Sequence, residues 1–140
     1  MTCNPPSFDN HKYIVVFIVY FTKWVEEMPT YNNATETTSQ FFFNHIITRF
    51  GVPKELVFDN GKHFENEIFQ DLSQRLGFSH KIVSPYYPQS NGQVEFVNKV
   101  LKTMLQHMVN NQKTNWHHMV FSALWAYCTK FKASTRFTPF

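Results

Sequence analysis

Acidic residues run out part-way along this chain. Residues 1–95 carry 7 Lys/Arg and 10 Asp/Glu, whereas residues 96–140 carry 6 Lys/Arg and no acid, Glu95 being the last. A cationic third without carboxylates is either a phosphate-facing surface or a solvated basic helix. Cysteine is also scarce: Cys3 and Cys128 lie far apart, with no C-x-x-C or His-rich spacing. That argues against a disulfide scaffold and a structural zinc site, and fits a reducing, intracellular compartment. The longest apolar run, residues 13–21, is nine residues. It is too short to span a bilayer, and no basic segment with a cleavage site precedes it, so neither a membrane span nor a signal peptide is expected. Glycine is limited to Gly51, Gly61, Gly77 and Gly92, each a candidate break in regular structure.

What the chain has is apolar and aromatic bulk. Of 140 residues, 43% are hydrophobic and 16 are Phe, enough for a packed core. Residues 13–21 read as a buried strand and 24–28 as its hairpin partner, closed by Pro29. Asn33 and Glu36 form a capping-box-like start to a helix that stops at Gly51-Val52-Pro53. A short strand at 54–58 leads into the turn Asp59-Asn60-Gly61. A helix at 65–76 and a strand at 78–84 follow. Residues 84–92 hold two prolines and an Asn-Gly pair and are expected to be irregular. Beyond them, 93–110 is predicted helical, with Val94, Val97, Leu101, Met104 and Met108 on one face and Glu95, Lys99, Lys102 and Gln106 on the other. A last helix is expected at about 115–130. There is no internal repeat or linker, so a single α/β domain is the reading.

Two acids stand out. Asp59 ends a buried strand and Glu95 falls in the first turn of a predicted helix, with 35 residues between them. Carboxylates brought together in this way suit a hard divalent cation. Taken singly, Asp59 is equally a turn former and Glu95 a helix-dipole partner. Lys99 also has an i,i+4 partner in Glu95, and Tyr86 is equally a plain loop aromatic.

The surrounding strings carry more information than the acids alone. Val57-Phe58-Asp59-Asn60-Gly61-Lys62-His63-Phe64, then Pro88-Gln89-Ser90-Asn91-Gly92-Gln93-Val94-Glu95 and Asn98-Lys99, resemble the integrase catalytic core of retroviruses and gypsy-type LTR retrotransposons. Tyr20-Phe21-Thr22-Lys23-Trp24-Val25-Glu26, Arg49-Phe50-Gly51-Val52-Pro53, and Trp116-His117 with Trp125-Ala126-Tyr127 extend the resemblance over nearly the whole chain.

The resemblance implies a ribonuclease-H-like fold, a mixed sheet flanked by helices, over residues 1–140. It also implies a polynucleotidyl transferase in which two Asp and one Glu hold two Mg2+ or Mn2+ ions while a DNA 3′-hydroxyl attacks a phosphodiester. Asp59 and Glu95 match the second and third acids of that triad, and Lys99, Lys102, Tyr86 and Asn91 match positions that approach DNA. The implied partners are element-end and target DNA and further copies of the chain, with no membrane, and the implied location is nuclear.

Aligned through Asn4-Pro5-Pro6-Ser7, the family's first catalytic Asp falls about three residues before Met1, so these 140 residues are expected to lack it together with the family's first, central strand. Asp9, the only early carboxylate, is a poor substitute because it lies in the turn before the Tyr13 strand. The expected function is therefore a DNA-integration core that is inactive alone. The competing readings are a noncatalytic nucleic-acid-binding domain and a nonfunctional remnant of an element.

Overall fold

The computed structural model describes residues 1–58, 67–82, 88–109, 111 and 113–140, with only the backbone described for 82 and 88–91. The chain divides into two compact units, residues 1–32 with 96–140, and residues 33–95.

In the first unit, β-branched and aromatic residues form β1 (Tyr13–Ile18), which pairs antiparallel with β2 (Val25–Thr30). The register runs from Tyr13 beside Thr30 to Ile18 beside Val25. The hairpin matches the expectation except at its limits. β1 ends at Ile18 because the Val19 and Lys23 amides turn inward, to Trp24 O and Val19 O at 2.9 Å each, with Lys23 in the left-handed region at φ 61°. β2 runs through Pro29 rather than stopping at it, since the missing N–H is harmless on the outer edge of a two-stranded sheet. Along the other edge of β1 the first residues make a short antiparallel line, Thr2 bridging Tyr13 and the Ile14 amide donating to Met1 O at 2.8 Å. It ends before Pro5 and Pro6, which have no amide to give.

Helix α4 (Pro88–Met108) and helix α5 (Trp116–Thr129) supply the other walls of this core. Val25 packs with Val97, Leu101, Tyr127 and Cys128, while Ile14 packs with Leu105, Trp116, Val120 and Ala123. The apolar stripe of α4 is as expected at Val97 and Leu101, but Leu105 replaces Met108 as its third buried member.

The second unit is built on phenylalanine. Helix α1 (Thr35–Phe41) passes without interruption into a π-helical segment (Phe42–Ile47) and a last turn, α2 (Thr48–Phe50). The wider π turn keeps Phe41, Phe42 and Ile46 all buried. Gly51 ends the helix at φ 84°, where a side chain would be strained. Contrary to the capping-box reading, the N-cap position is Ala34, whose methyl group cannot accept a capping hydrogen bond. Strands β3 (Glu55–Phe58) and β4 (Ser79–Ile82) pair in parallel, joined through α3 (Glu67–Leu76). The ring of Phe69 meets Phe58 edge-on at 4.8 Å and Phe42 at 6.2 Å, and Phe78 meets Phe42 at 5.6 Å. Edge-on aromatic pairs of this kind contribute about 0.5–1.5 kcal/mol beyond the area they bury.

Among the described residues the strands form two separate two-stranded sheets, one antiparallel and one parallel.

One core position is chemically costly. Glu27 on β2 is 1% exposed, and among the described residues its carboxylate oxygens have no hydrogen-bond partner. Its neighbour Glu26 instead accepts a bond from Trp24 Nε1 at 2.8 Å. Burial raises the Glu27 carboxyl from its ordinary 4.5 to about 8. Below about pH 4.5 it is protonated folded or unfolded, so its titration does not change stability there. From there to about pH 8 only the unfolded chain releases the proton, so stability falls as pH rises, and the loss levels off above about pH 8.

Thermal melts across this range are expected to show the decline, and Glu27→Gln should flatten it and raise the midpoint at pH 8. Phe69→Ala should destabilise by about 3–5 kcal/mol in a denaturant titration, because it opens a cavity against Phe42 and Phe58.

Candidate nucleic-acid interface and acidic site

β3 and β4 end in register, with Phe58 beside Ile82. Ligand sites of parallel sheets gather at the carboxyl ends of the strands, and Asp59 is the residue that follows Phe58. Asp59 itself and Tyr86 lie outside the described residues, and of Asn91 only the helical backbone is described.

Glu95 is described, and its position corrects the sequence reading. Helix α4 begins at Pro88, so the expected irregular segment is helical from that residue onward. Proline is well tolerated at a first helical position, where its φ is preset and its amide would be unbonded in any case. Glu95 is therefore the eighth residue of α4, not in its first turn. The helix dipole acts within about one turn of the end, so dipole stabilisation no longer accounts for an acid here.

Lys99 and Lys102 follow on the same helix, four and seven residues further on, and Glu95, Lys99 and Lys102 are all exposed. Among the described residues no ion pair joins any of the three, so the i,i+4 pair offered by the sequence is not made. Beside the lysines, Phe96 is 63% exposed and forms a shallow groove with Lys99, Val100, Thr103 and Met104. An aromatic ring set among free cations suits stacking on bases and neutralisation of phosphates. The sequence reading missed Phe96, although its place one residue after the last acid of the chain was the available signal.

Not all of the C-terminal cations are free. Lys132 Nζ donates to Tyr127 O at 2.8 Å and lies 3.3 Å from the centre of the Tyr127 ring, and burial lowers its pKa. The two cysteines are free thiols. Burial pushes Cys3 up to about 11 and raises Cys128 as well, the latter donating to Val25 O at 3.7 Å. Both shifts favour the neutral thiol over the reactive thiolate.

The fold is α/β, with a parallel β-α-β unit and a helix-backed hairpin, and carries an acid and two free lysines along one helix. The integrase core domain family matches residues 2–88, and the chain belongs to that family. The Pol polyprotein of feline endogenous virus ECE1 is 33% identical over 120 residues, spanning 85% of this chain and 12% of that protein. The Gag-Pol polyprotein of koala retrovirus is 39% identical over 100 residues, spanning 71% and 6%. The chain thus spans a small part of these curated relatives.

Two solved structures share the fold. The simian T-cell lymphotropic virus intasome in complex with PP2A regulatory subunit B56 gamma aligns with TM-score 0.79 and 24% identity, over 95% of this chain and 49% of that one. The HTLV-2 integrase catalytic core domain in complex with magnesium, in trimeric form, aligns with TM-score 0.75 and 20% identity, over 95% and 86%.

Because Glu95, Lys99 and Lys102 are exposed and unpaired among the described residues, Glu95→Gln and the double variant Lys99→Ala/Lys102→Ala should each leave the thermal midpoint nearly unchanged, within about 0.5 kcal/mol of the parent in stability.

Proposed function

We propose that this chain is a DNA-integration core of the metal-dependent strand-transfer type, in which Asp59 and Glu95 hold Mg2+ or Mn2+ and Lys99 and Lys102 engage DNA phosphates. The observation that carries the reading is the exposed line of Glu95, Lys99 and Lys102 along α4, with the acid set too deep in the helix to serve its dipole. The donor chemistry fits the ion: carboxylate oxygens are hard ligands, and the Glu95 carboxylate is solvent-exposed with no competing cation among the described residues. When bound, such ions activate an attacking oxygen and stabilise a leaving one. The protein's own part is to present the carboxylates and to hold the phosphate backbone against Lys99 and Lys102.

Asn91 and Tyr86 approach the DNA terminus in this reading, and the core works in the nucleus as an oligomer on element-end and target DNA. These 140 residues supply two of the three triad carboxylates, so strand transfer by the chain alone stays at background. A second reading, DNA binding without chemistry, is favoured by exposed Phe96 and by the acid-free residues 96–140.

Two measurements test the proposal. Mn2+ binding, followed by water-proton relaxation, should include a weak site in the parent that is lost in Asp59→Asn and in Glu95→Gln; binding unchanged in both variants removes the acidic site. DNA affinity should fall with salt, and Lys99→Ala/Lys102→Ala should weaken it and reduce the log–log salt slope by about 2. DNA binding that persists in Glu95→Gln, in a parent that binds no Mn2+, selects the noncatalytic reading.

A further inference from the structure

Away from α4, the first unit gathers three ligating side chains that no motif connects. The segment before β1 folds into a tight turn at Ser7: the Ser7 amide donates to His11 O and the Asn10 amide to Ser7 O, each at 2.9 Å, with Asn10 in the left-handed region at φ 62°. This turn sets Asp9 and His11 on one side. The turn is docked on the start of α5, where the Phe8 amide donates to Thr114 O at 2.9 Å and Trp116 Nε1 to Pro5 O at 3.1 Å. α5 then presents His117, whose Nε2 lies 2.9 Å from Asp9 Oδ2. One ligating atom from each of Asp9, His11 and His117 falls within 4.8 Å of the other two.

We propose that Asp9, His11 and His117 form a binding site for one divalent transition-metal ion of the zinc class, which clips the N-terminal segment to the start of α5. Three features support it beyond proximity. His117 is 6% exposed, and among the described residues neither of its ring nitrogens has a hydrogen bond of good geometry, although Nε2 lies 2.9 Å from Asp9 Oδ2. A buried imidazole left in this way needs a partner, and a cation between Nε2 and the carboxylate provides one.

His11 is already oriented as ligating histidines are. Its Nδ1 lies 3.0 Å from Ser7 Oγ, which also accepts the His11 amide at 3.0 Å; in the tautomer whose Nδ1–H donates to that oxygen, Nε2 is the nitrogen that would bind the ion. The His11 ring stacks on Tyr31 at 4.3 Å and on His117 at 5.2 Å, the two imidazole planes lying 25° apart, so closing the site on one ion requires one imidazole to rotate toward the other's plane. Two imidazoles and one carboxylate are the donors that favour zinc over magnesium, and three protein ligands leave a fourth position open to water.

The site is separate from the acids of the integration reading, and its test does not depend on strand transfer. Titrating the 140-residue chain with zinc chloride in magnesium-containing buffer should show one ion per chain by calorimetry. Co2+ should give a visible absorption band that zinc abolishes, and saturating zinc should raise the thermal midpoint by about 5 °C or more. Asp9→Asn and His11→Ala, both at positions outside the buried core, should each lower zinc affinity at least tenfold, and Ser7→Ala by about tenfold through loss of orientation. Glu95→Gln should bind zinc like the parent. Absence of a stoichiometric zinc site, or one that survives in the Asp9→Asn/His11→Ala double variant, would overturn the proposal. Because His117→Ala creates a buried cavity, the exposed Asp9 and half-buried His11 carry the test.

Discussion

The first unit depends on the burial of Val25. This residue sits where the β1–β2 hairpin meets both α4 and α5, fully enclosed by Val97, Leu101, Tyr127 and Cys128. Holding α4 by Val97 and Leu101 fixes its rotation about its own axis, and at 3.6 residues per turn that rotation turns Lys99 and Lys102 outward. The functional face of α4 is thus a consequence of which side is packed. The same enclosure brings consecutive β2 residues under cover, so Glu27 loses its water without gaining a hydrogen-bond partner among the described residues. The hairpin secures the helix at the cost of a strained acid in its own core.

The second unit solves the same problem with aromatic rings. Phe42, Phe58, Phe69 and Phe78 interlock around the β3–β4 pair, and this fixes the common carboxyl end of two parallel strands, the rim from which Asp59 follows.

Much of this was legible without coordinates. The hairpin, the two strands flanking α3, the helix stop at Gly51 and the exposed charged stripe on α4 all follow from local periodicity and punctuation, which act over a few residues, whereas the parallel pairing of those strands does not. The errors were also local. Pro88 was read as a breaker when it starts a helix, because proline's effect depends on whether its amide falls in the first turn or later. Asn33 was read as a cap when Ala34 takes the position, because the entry angle of the chain decides which residue is half-in.

What the sequence determined by itself is the family, the acid and lysine positions along α4, and the charge break at Glu95, since each is a matter of spacing within one element or one short string. Tertiary structure alone decided that Glu27 is a buried, unpartnered carboxylate and that Asp9, His11 and His117 share one corner. The physical reason is the same in both cases. Burial and ligand geometry depend on which distant elements pack together, and residues 9 and 117 become neighbours only because the turn at Ser7 docks on the start of α5.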